Sequence, residues 1–276
     1  MHASARWTVR YGEALRFAGT DLPAPEVVRV ETRHGRVPVH VYTPPGADAT
    51  TGAHVHLHGG AWLMRYPQMD DWWCRYLAAS AGVVVHNVDY AAGPYVRYPV
   101  AQEQSHDVAV QVAGRTPTVS VGGFSSGGGM AAAVCLLARD RGTFTPVLQV
   151  LGVPALDMAS ELPAGAGMIS PGLRALVRRV YFPDVASRAE PCASPLLATD
   201  LAGVPPALVL TAERDTLRED GVRYAQRLRE AGVDVWHDDT PGVDHYFLTE
   251  DPVRARATMA QVAASVAAAH AASSRG

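Results

Sequence analysis

Apolar positions in this chain follow two rhythms that alternate along its length. Val27–Thr32 and Val37–Thr43 are β-branched runs on either side of His34-Gly35, the pattern of a hairpin. His54–His58 (HVHLH) alternates strictly and ends at two glycines. Val83–Tyr90, Val147–Val153 and Ala207–Ala212 are largely continuous apolar runs, as strands covered on both faces are. Thr118–Val121 and Val233–Asp238 complete the set of strand-like segments. Helical patterns lie between them: Met69–Ala81, Ser126–Asp140, and Leu217–Ala231 closed by Gly232. A last helix opens with Asp251 as N-cap and Pro252 in the first turn. From residue 50 onward strand and helix alternate, which predicts an α/β fold. Its sheet is mostly parallel, with helices on both faces, and follows an antiparallel N-terminal hairpin. Chemistry in such a sheet gathers at the carboxyl ends of the strands. Residues 1–26 and 159–191 stand outside the rhythm, the second broken by Pro163, Gly165, Gly167 and Pro171 around a short Arg-bearing helix. Both are expected to form a small cap. With no internal repeat or low-complexity linker, 1–276 reads as a single domain.

Composition narrows the class of function. With 48% hydrophobic and 18% charged residues in 276, the chain is too apolar for disorder. At this length folding buries roughly three-quarters of the unfolded surface, so stability requires neither disulfide nor metal. The net charge of −3 and the lack of a basic block argue against a nucleic-acid partner; all 24 basic residues are arginine. Cys74, Cys135 and Cys192 are odd in number, form no CxxC pair, and read as packed residues of a reduced compartment. The polar N-terminus and the absence of any 18-residue apolar run argue against export and against a membrane partner, and a cytoplasmic location is expected. No HExxH or paired histidine spacing, P-loop lysine or dinucleotide fingerprint occurs, so neither a metal nor an organic cofactor is expected.

The chemistry-bearing segments all fall at strand ends. Gly123-Phe124-Ser125-Ser126-Gly127 is a G-x-S-x-G motif with a strand entering and a helix leaving, which puts Ser125 on a sharp elbow. Small residues are needed there because the backbone turns tightly, and the helix N-terminus favours developing negative charge. Ser126, one position past the centre, is expected to supply a backbone N–H. His58-Gly59-Gly60-Ala61-Trp62 follows a strand; its glycines free backbone donors for an oxyanion hole, from Gly60 and Ala61 or from Gly59 and Gly60, alongside Ser126. His58 reads as a residue that holds this loop. Of eleven histidines, His245 alone stands in a loop between the last strand and the last helix, in Pro241–Phe247, and is the candidate general base. Asp215, just past Ala207–Ala212, is the candidate that orients it, with Glu213 and Asp220 as neighbouring rivals. Asp244 adjoins His245 too closely to serve, and Asp157 is expected to fix a loop. His54, His56 and His86 lie within strands; His2, His34 and His270 look peripheral. The order Ser125…Asp215…His245 is that of the α/β-hydrolase sheet.

These segments resemble the hormone-sensitive-lipase-like family of α/β-hydrolase esterases over about residues 50–250. The resemblance rests on His58–Trp62, Gly123–Gly128, Ser194-Pro195-Leu196-Leu197-Ala198, Ala212–Arg218 and Gly242…His245-Tyr246-Phe247. It implies an eight-stranded α/β-hydrolase fold with a small cap, and a Ser125–His245–Asp215 triad. It further implies an oxyanion hole from Gly59, Gly60, Ala61 and Ser126, and hydrolysis of a small-molecule acyl ester. Ala61 replaces a third glycine, Phe124 replaces an aspartate, and Tyr246 stands where glycine is usual. The family's Tyr-Arg-Leu-Ala-Pro-Glu becomes Tyr90-Ala91-Ala92-Gly93-Pro94-Tyr95. Trp62, Phe124, Tyr95 and Tyr246 are expected to line a confined pocket suited to short acyl groups. The altered elbow motivates an alternative on the same scaffold: an arylformamidase, or a cyclase, dehydratase or acyltransferase of specialised metabolism. A non-catalytic binding module is disfavoured by the presence of His245. The sequence leaves the oligomer state open.

Overall fold

Along β7 (Ala207–Ala212) every side chain is buried, and successive ones enter opposite cores: Ala207 and Val209 one, Leu208 and Leu210 the other. A sheet with two dry faces needs helices on both, and the computed structural model, which describes residues 15, 16, 18–161 and 167–274, has them. Its strands are β1 (Glu26–Thr32), β2 (Gly35–Tyr42), β3 (Ala53–Leu57), β4 (Val84–Val88), β5 (Val119–Phe124), β6 (Gln149–Gly152), β7 and β8 (Val235–Thr240). They form one sheet in the order β1-β2-β4-β3-β5-β6-β7-β8. β2 pairs antiparallel with β1 and β4, and all other pairings are parallel. One core receives α2 (Val100–Ala113), α3 (Ser126–Arg141) and α5 (Arg218–Glu230). The other receives α1 (Asp71–Ala81) and α7 (Pro252–Ser273); α4 (Pro171–Val180) and the single turn α6 (Phe247–Glu250) lie in the connections. The expected α/β-hydrolase architecture, an eight-stranded mostly parallel sheet behind an antiparallel hairpin, is thus present.

The strand order determines where the site lies. β3 sits between β4 and β5, so the chain crosses the sheet in one direction after β3 and returns on its other side, which opens a crevice at the carboxyl ends of β3 and β5. The register pairs Leu57 with Gly123. The loop after β3 and the elbow after β5 therefore emerge side by side.

Several boundaries differ from expectation for identifiable reasons. The hairpin turns at Arg33-His34, and Gly35, at φ +90°, begins the return strand. β5 extends to Phe124, because Gly122 and Gly123 make its second half look like a loop. Helix α2 had no sequence expectation. Its buried Gln102, Gln104, Ser105 and His106 erase the apolar stripe, and the two glutamines make hydrogen bonds there: Gln104 Oε1 accepts from Ala91 N–H, and Tyr181 O–H donates to Gln102. His270 is not peripheral. It lies 6% exposed between the hydroxyls of Thr118 (2.7 Å) and Ser120 (2.9 Å), and Ser120 continues to His54 at 2.8 Å. Of the expected cap segments, 1–14, 17 and 162–166 lie outside the described residues. Among the described residues no helix is long and apolar enough to cross a membrane.

Burial keeps several histidines neutral: it pushes His58, His86 and His270 down to about 4. Unfolded, each titrates near its ordinary value of about 6.5. Their contribution to stability is complete above pH 6.5 and is lost as the pH falls toward 4. Each should add a slope of up to about 1.4 kcal/mol per pH unit to the unfolding free energy in that window. Urea denaturation across pH 4–7.5 should show this acid lability, and His270→Gln should remove about one histidine's share of the slope; an unchanged slope would contradict the assignment.

Candidate active site

Ser125 owes its position to two glycines. A Cβ on Gly123 or on Gly127 would overlap the carbonyl oxygen of Leu57, so only glycine lets β5 and α3 close on β3. Between them Ser125 takes φ +56°, ψ −121°, a conformation that L-residues adopt only under constraint. Its N–H donates to Gly152 O at 2.8 Å, and its carbonyl accepts from Gly129 and Ala155 N–H at 3.0 and 3.1 Å. These bonds hold the elbow and leave the hydroxyl pointing off the sheet.

The structure brings Asp215 and His245 to that hydroxyl. His245 Nε2 lies 2.9 Å from Ser125 Oγ, and its Nδ1 lies 2.7 Å from Asp215 Oδ2. The carboxylate can only accept, so Nδ1 carries the proton and Nε2 is free to take one from the serine. Asp215 Oδ1 also accepts from Leu217 N–H at 3.0 Å, which fixes the carboxylate plane. His245 and Asp215 are each 5% exposed. The neighbouring acids are committed elsewhere. Glu213 accepts from Gly242 N–H at 2.6 Å, and Asp220 from Leu156 and Asp157 N–H. Asp157 accepts from Ala159 and Ser160 N–H, fixing a loop as expected, and Asp244 accepts from Met168 and His245 N–H. Burial raises Asp220 to about 6, the mark of a carboxylate in a dry environment away from the reacting groups.

The loop after β3 faces the elbow. Gly60 (φ +118°), Ala61 (φ +56°) and Trp62 (φ +54°) run consecutively through left-handed backbone, turning the loop back on itself. A Cβ on Gly60 would press on Met64 Cβ. Among the described residues, no loop bond to a backbone carbonyl uses the N–H of Gly59, Gly60, Ala61 or Ser126. The Ser126 N–H is an orphan donor at the start of α3. His58 stays out of the chemistry: its Nδ1 donates to Gly59 O at 2.6 Å, and its ring stacks on Tyr90, whose O–H donates to His58 O at 2.7 Å.

Two cavities meet at Ser125. The larger, about 120 Å³, is lined by Gly59–Ala61, Met69, Asp70, Trp72, Phe124, Val153, His245, Tyr246 and Phe247, among others. The smaller, about 30 Å³, is bounded by Ala61, Trp62, Ser126, Ala155, Met158 and Leu217; Ile169 and Leu173 wall both. Phe124 and Tyr246 therefore line the larger cavity, and Trp62 the smaller one. Tyr95 does not belong to the site. It is 82% exposed and borders neither cavity, since bulk alone does not tell which way a loop residue points. Phe124 fits because Gly152 leaves room for its ring, which packs among His56, Trp72 and Trp73. Met69, Asp70, Trp72 and Val153 carry no sequence mark of the site: the first three stand at the start of a helix and the last at a strand end. Among the described residues no group of three or more His, Cys, Asp or Glu could hold a metal ion.

Known proteins resemble this chain in sequence and fold. Residues 54–249 match the family model described as the alpha/beta hydrolase fold. The chain is 36% identical over 220 residues to the carboxylic ester hydrolase LipN of Mycobacterium tuberculosis, covering 73% of this chain and 58% of that protein's length. It is 34% identical over 236 residues to the ethyl acetate hydrolase of Pseudomonas putida, covering 79% and 73%. The structure of the Pyrobaculum calidifontis esterase superposes with a TM-score of 0.84 at 32% identity, covering 91% of this chain and 87% of that one. On the family match, the identities and the shared fold, the chain belongs to the hormone-sensitive-lipase-like esterases of the α/β-hydrolase family.

Proposed function

We propose that this protein is a serine carboxylesterase acting on short-chain acyl esters. Ser125 is the nucleophile, His245 the general base and then general acid, and Asp215 the residue that stabilises the imidazolium. The observation that carries this reading is the unbroken hydrogen-bond line from Asp215 through His245 to Ser125. In the first half-reaction Ser125 Oγ attacks the ester carbonyl while Nε2 takes its proton. The carbonyl oxygen becomes an oxyanion received by the N–H groups of Ser126 and of the Gly59–Ala61 loop. Each such donor is worth about 3 kcal/mol to the transition state. Collapse of the tetrahedral intermediate sends the proton from Nε2 to the departing alkoxide. Water then repeats the sequence on the acyl-enzyme.

The cavities support the chain-length preference. His245, which must reach the departing oxygen, lines only the larger cavity, so the alcohol portion belongs there and the acyl portion in the smaller one. About 30 Å³ accommodates an acetyl or propionyl group and little more. Residues 167–180, within the expected 159–191 cap, bring Ile169 and Leu173 over both spaces and act as a cap in this reading.

Ser125→Ala should lower kcat on p-nitrophenyl acetate by about 10⁵-fold or more and abolish labelling by a fluorophosphonate. Turnover equal to wild type would refute the mechanism. Asp215→Asn should retain KM but lose about 10⁴-fold in kcat, through the wrong imidazole tautomer. Across p-nitrophenyl esters, kcat/KM should drop by about 100-fold from acetate to octanoate, the cost of forcing methylenes into packed space. A flat profile would remove the short-chain assignment, and faster turnover of N-formylkynurenine would favour the amide-cleaving alternative.

A further inference from the structure

The larger cavity contains an anion for which ester hydrolysis has no use. Asp70, 1% exposed, lines it together with Trp72, Phe124, Tyr246 and Phe247. Its Oδ2 accepts from His56 Nε2 at 2.8 Å. His56 is wholly buried, and among the described residues its Nδ1 has no partner. The carboxylate oxygen can only accept, so His56 Nε2 donates this bond. Asp70 occupies the N-cap position of α1 without a side-chain capping bond, at the end of the helix where the dipole favours an anion. Among the described residues no arginine lines the cavity, and the chain has no lysine. Burial, and after it the charge of Asp70, pushes the Tyr246 phenol up, and both residues line this cavity. Aromatic rings around a single carboxylate are a setting for an organic cation: the ring faces attract it and the carboxylate balances it.

We infer that the larger cavity takes the cationic head of an amino alcohol or quaternary-ammonium alcohol. The preferred substrates are then short-chain esters of choline-like alcohols. The inference rests on the serine-esterase reading, since it is the departure of the alcohol past His245 that places this portion of the substrate beside Asp70.

Two measurements test it separately from that reading. Choline titrated into Ser125→Ala by calorimetry should bind saturably, and adding Asp70→Asn should weaken binding by about tenfold or more. The asparagine amide oxygen can still accept from His56. With the wild type, kcat/KM for acetylcholine should exceed that for its uncharged carbon isostere, 3,3-dimethylbutyl acetate, by about tenfold or more. The ratio is read within one protein and should collapse toward unity in Asp70→Asn. No choline binding to Ser125→Ala, or equal kcat/KM for the two esters, overturns the inference. A protein that binds choline but turns over no ester upholds the cation site and refutes the esterase reading alone.

Discussion

The site depends on how closely helix α3 approaches strand β3. Gly123 and Gly127 stand where any side chain would meet the Leu57 carbonyl, and Ser125 is held between them in left-handed backbone. Such a conformation costs about 1–3 kcal/mol and persists only where the surroundings over-determine it. Here the bonds to Gly152, Gly129 and Ala155 do so. The same closeness sets the first N–H of α3 opposite the glycine loop after β3. The Ser125 hydroxyl and the N–H groups that face it are therefore placed by one packing event. Loosening the helix by a single methyl group would disturb both at once.

His245 and Asp215 are held by a different device. β7 and β8 are neighbours, and the loops that follow them are joined beyond the sheet: Glu213 N–H donates to Thr240 O, Arg214 N–H to Val243 O, and the Glu213 carboxylate accepts from Gly242 N–H. The ion pair between Arg214 and Glu250 extends this join toward α6. Asp215 and His245 are thus carried on what is nearly one rigid loop pair, and their alignment does not rely on either side chain alone. The segment at 167–173 docks onto the same pair, with Met168 N–H donating to Asp244 and Thr216 O–H to Ile169 O. Asp244, beside His245, therefore anchors the segment whose Ile169 and Leu173 wall both cavities. Movement of that segment would be felt at the imidazole.

What was legible in the sequence is what has a short-range cause. A G-x-S-x-G elbow, a glycine pair after an alternating strand, and an acid and a histidine at successive strand ends follow from local backbone needs, and all of them converge here. Direction of a side chain has no such signature. Tyr95 and Trp62 looked alike as bulky residues near the site, yet one is in solvent and the other is packed on Tyr181 and Phe182. Helix α2 escaped notice because its buried glutamines and histidine serve hydrogen bonds from other elements, and no reading of periodicity anticipates partners 13 or 79 residues away. Asp70 was hidden by Asp71. Two acids at the start of a helix read as a solvated N-terminus, but Asp71 pairs with Arg75 near the surface while Asp70 turns inward to His56.

Strand β3 shows how one short segment serves both stability and chemistry. Its alternation sends Val55 and Leu57 into the apolar core beneath α3, where dense packing fixes the elbow. His54 and His56 go to the other face, under α1 and α7, where every polar atom must be matched or left at a cost. That face answers with two separate hydrogen-bonded groups: His54 with Ser120 and His270, and His56 with Asp70. The first ties the sheet to the C-terminal helix and touches no cavity residue. The second ends at the wall of the site. An apolar pair of similar volume at 56 and 70 would pack there without any desolvation cost. The buried charge therefore contributes little that stability requires, and its placement against aromatic rings is better accounted for by what enters the cavity than by what holds the sheet together.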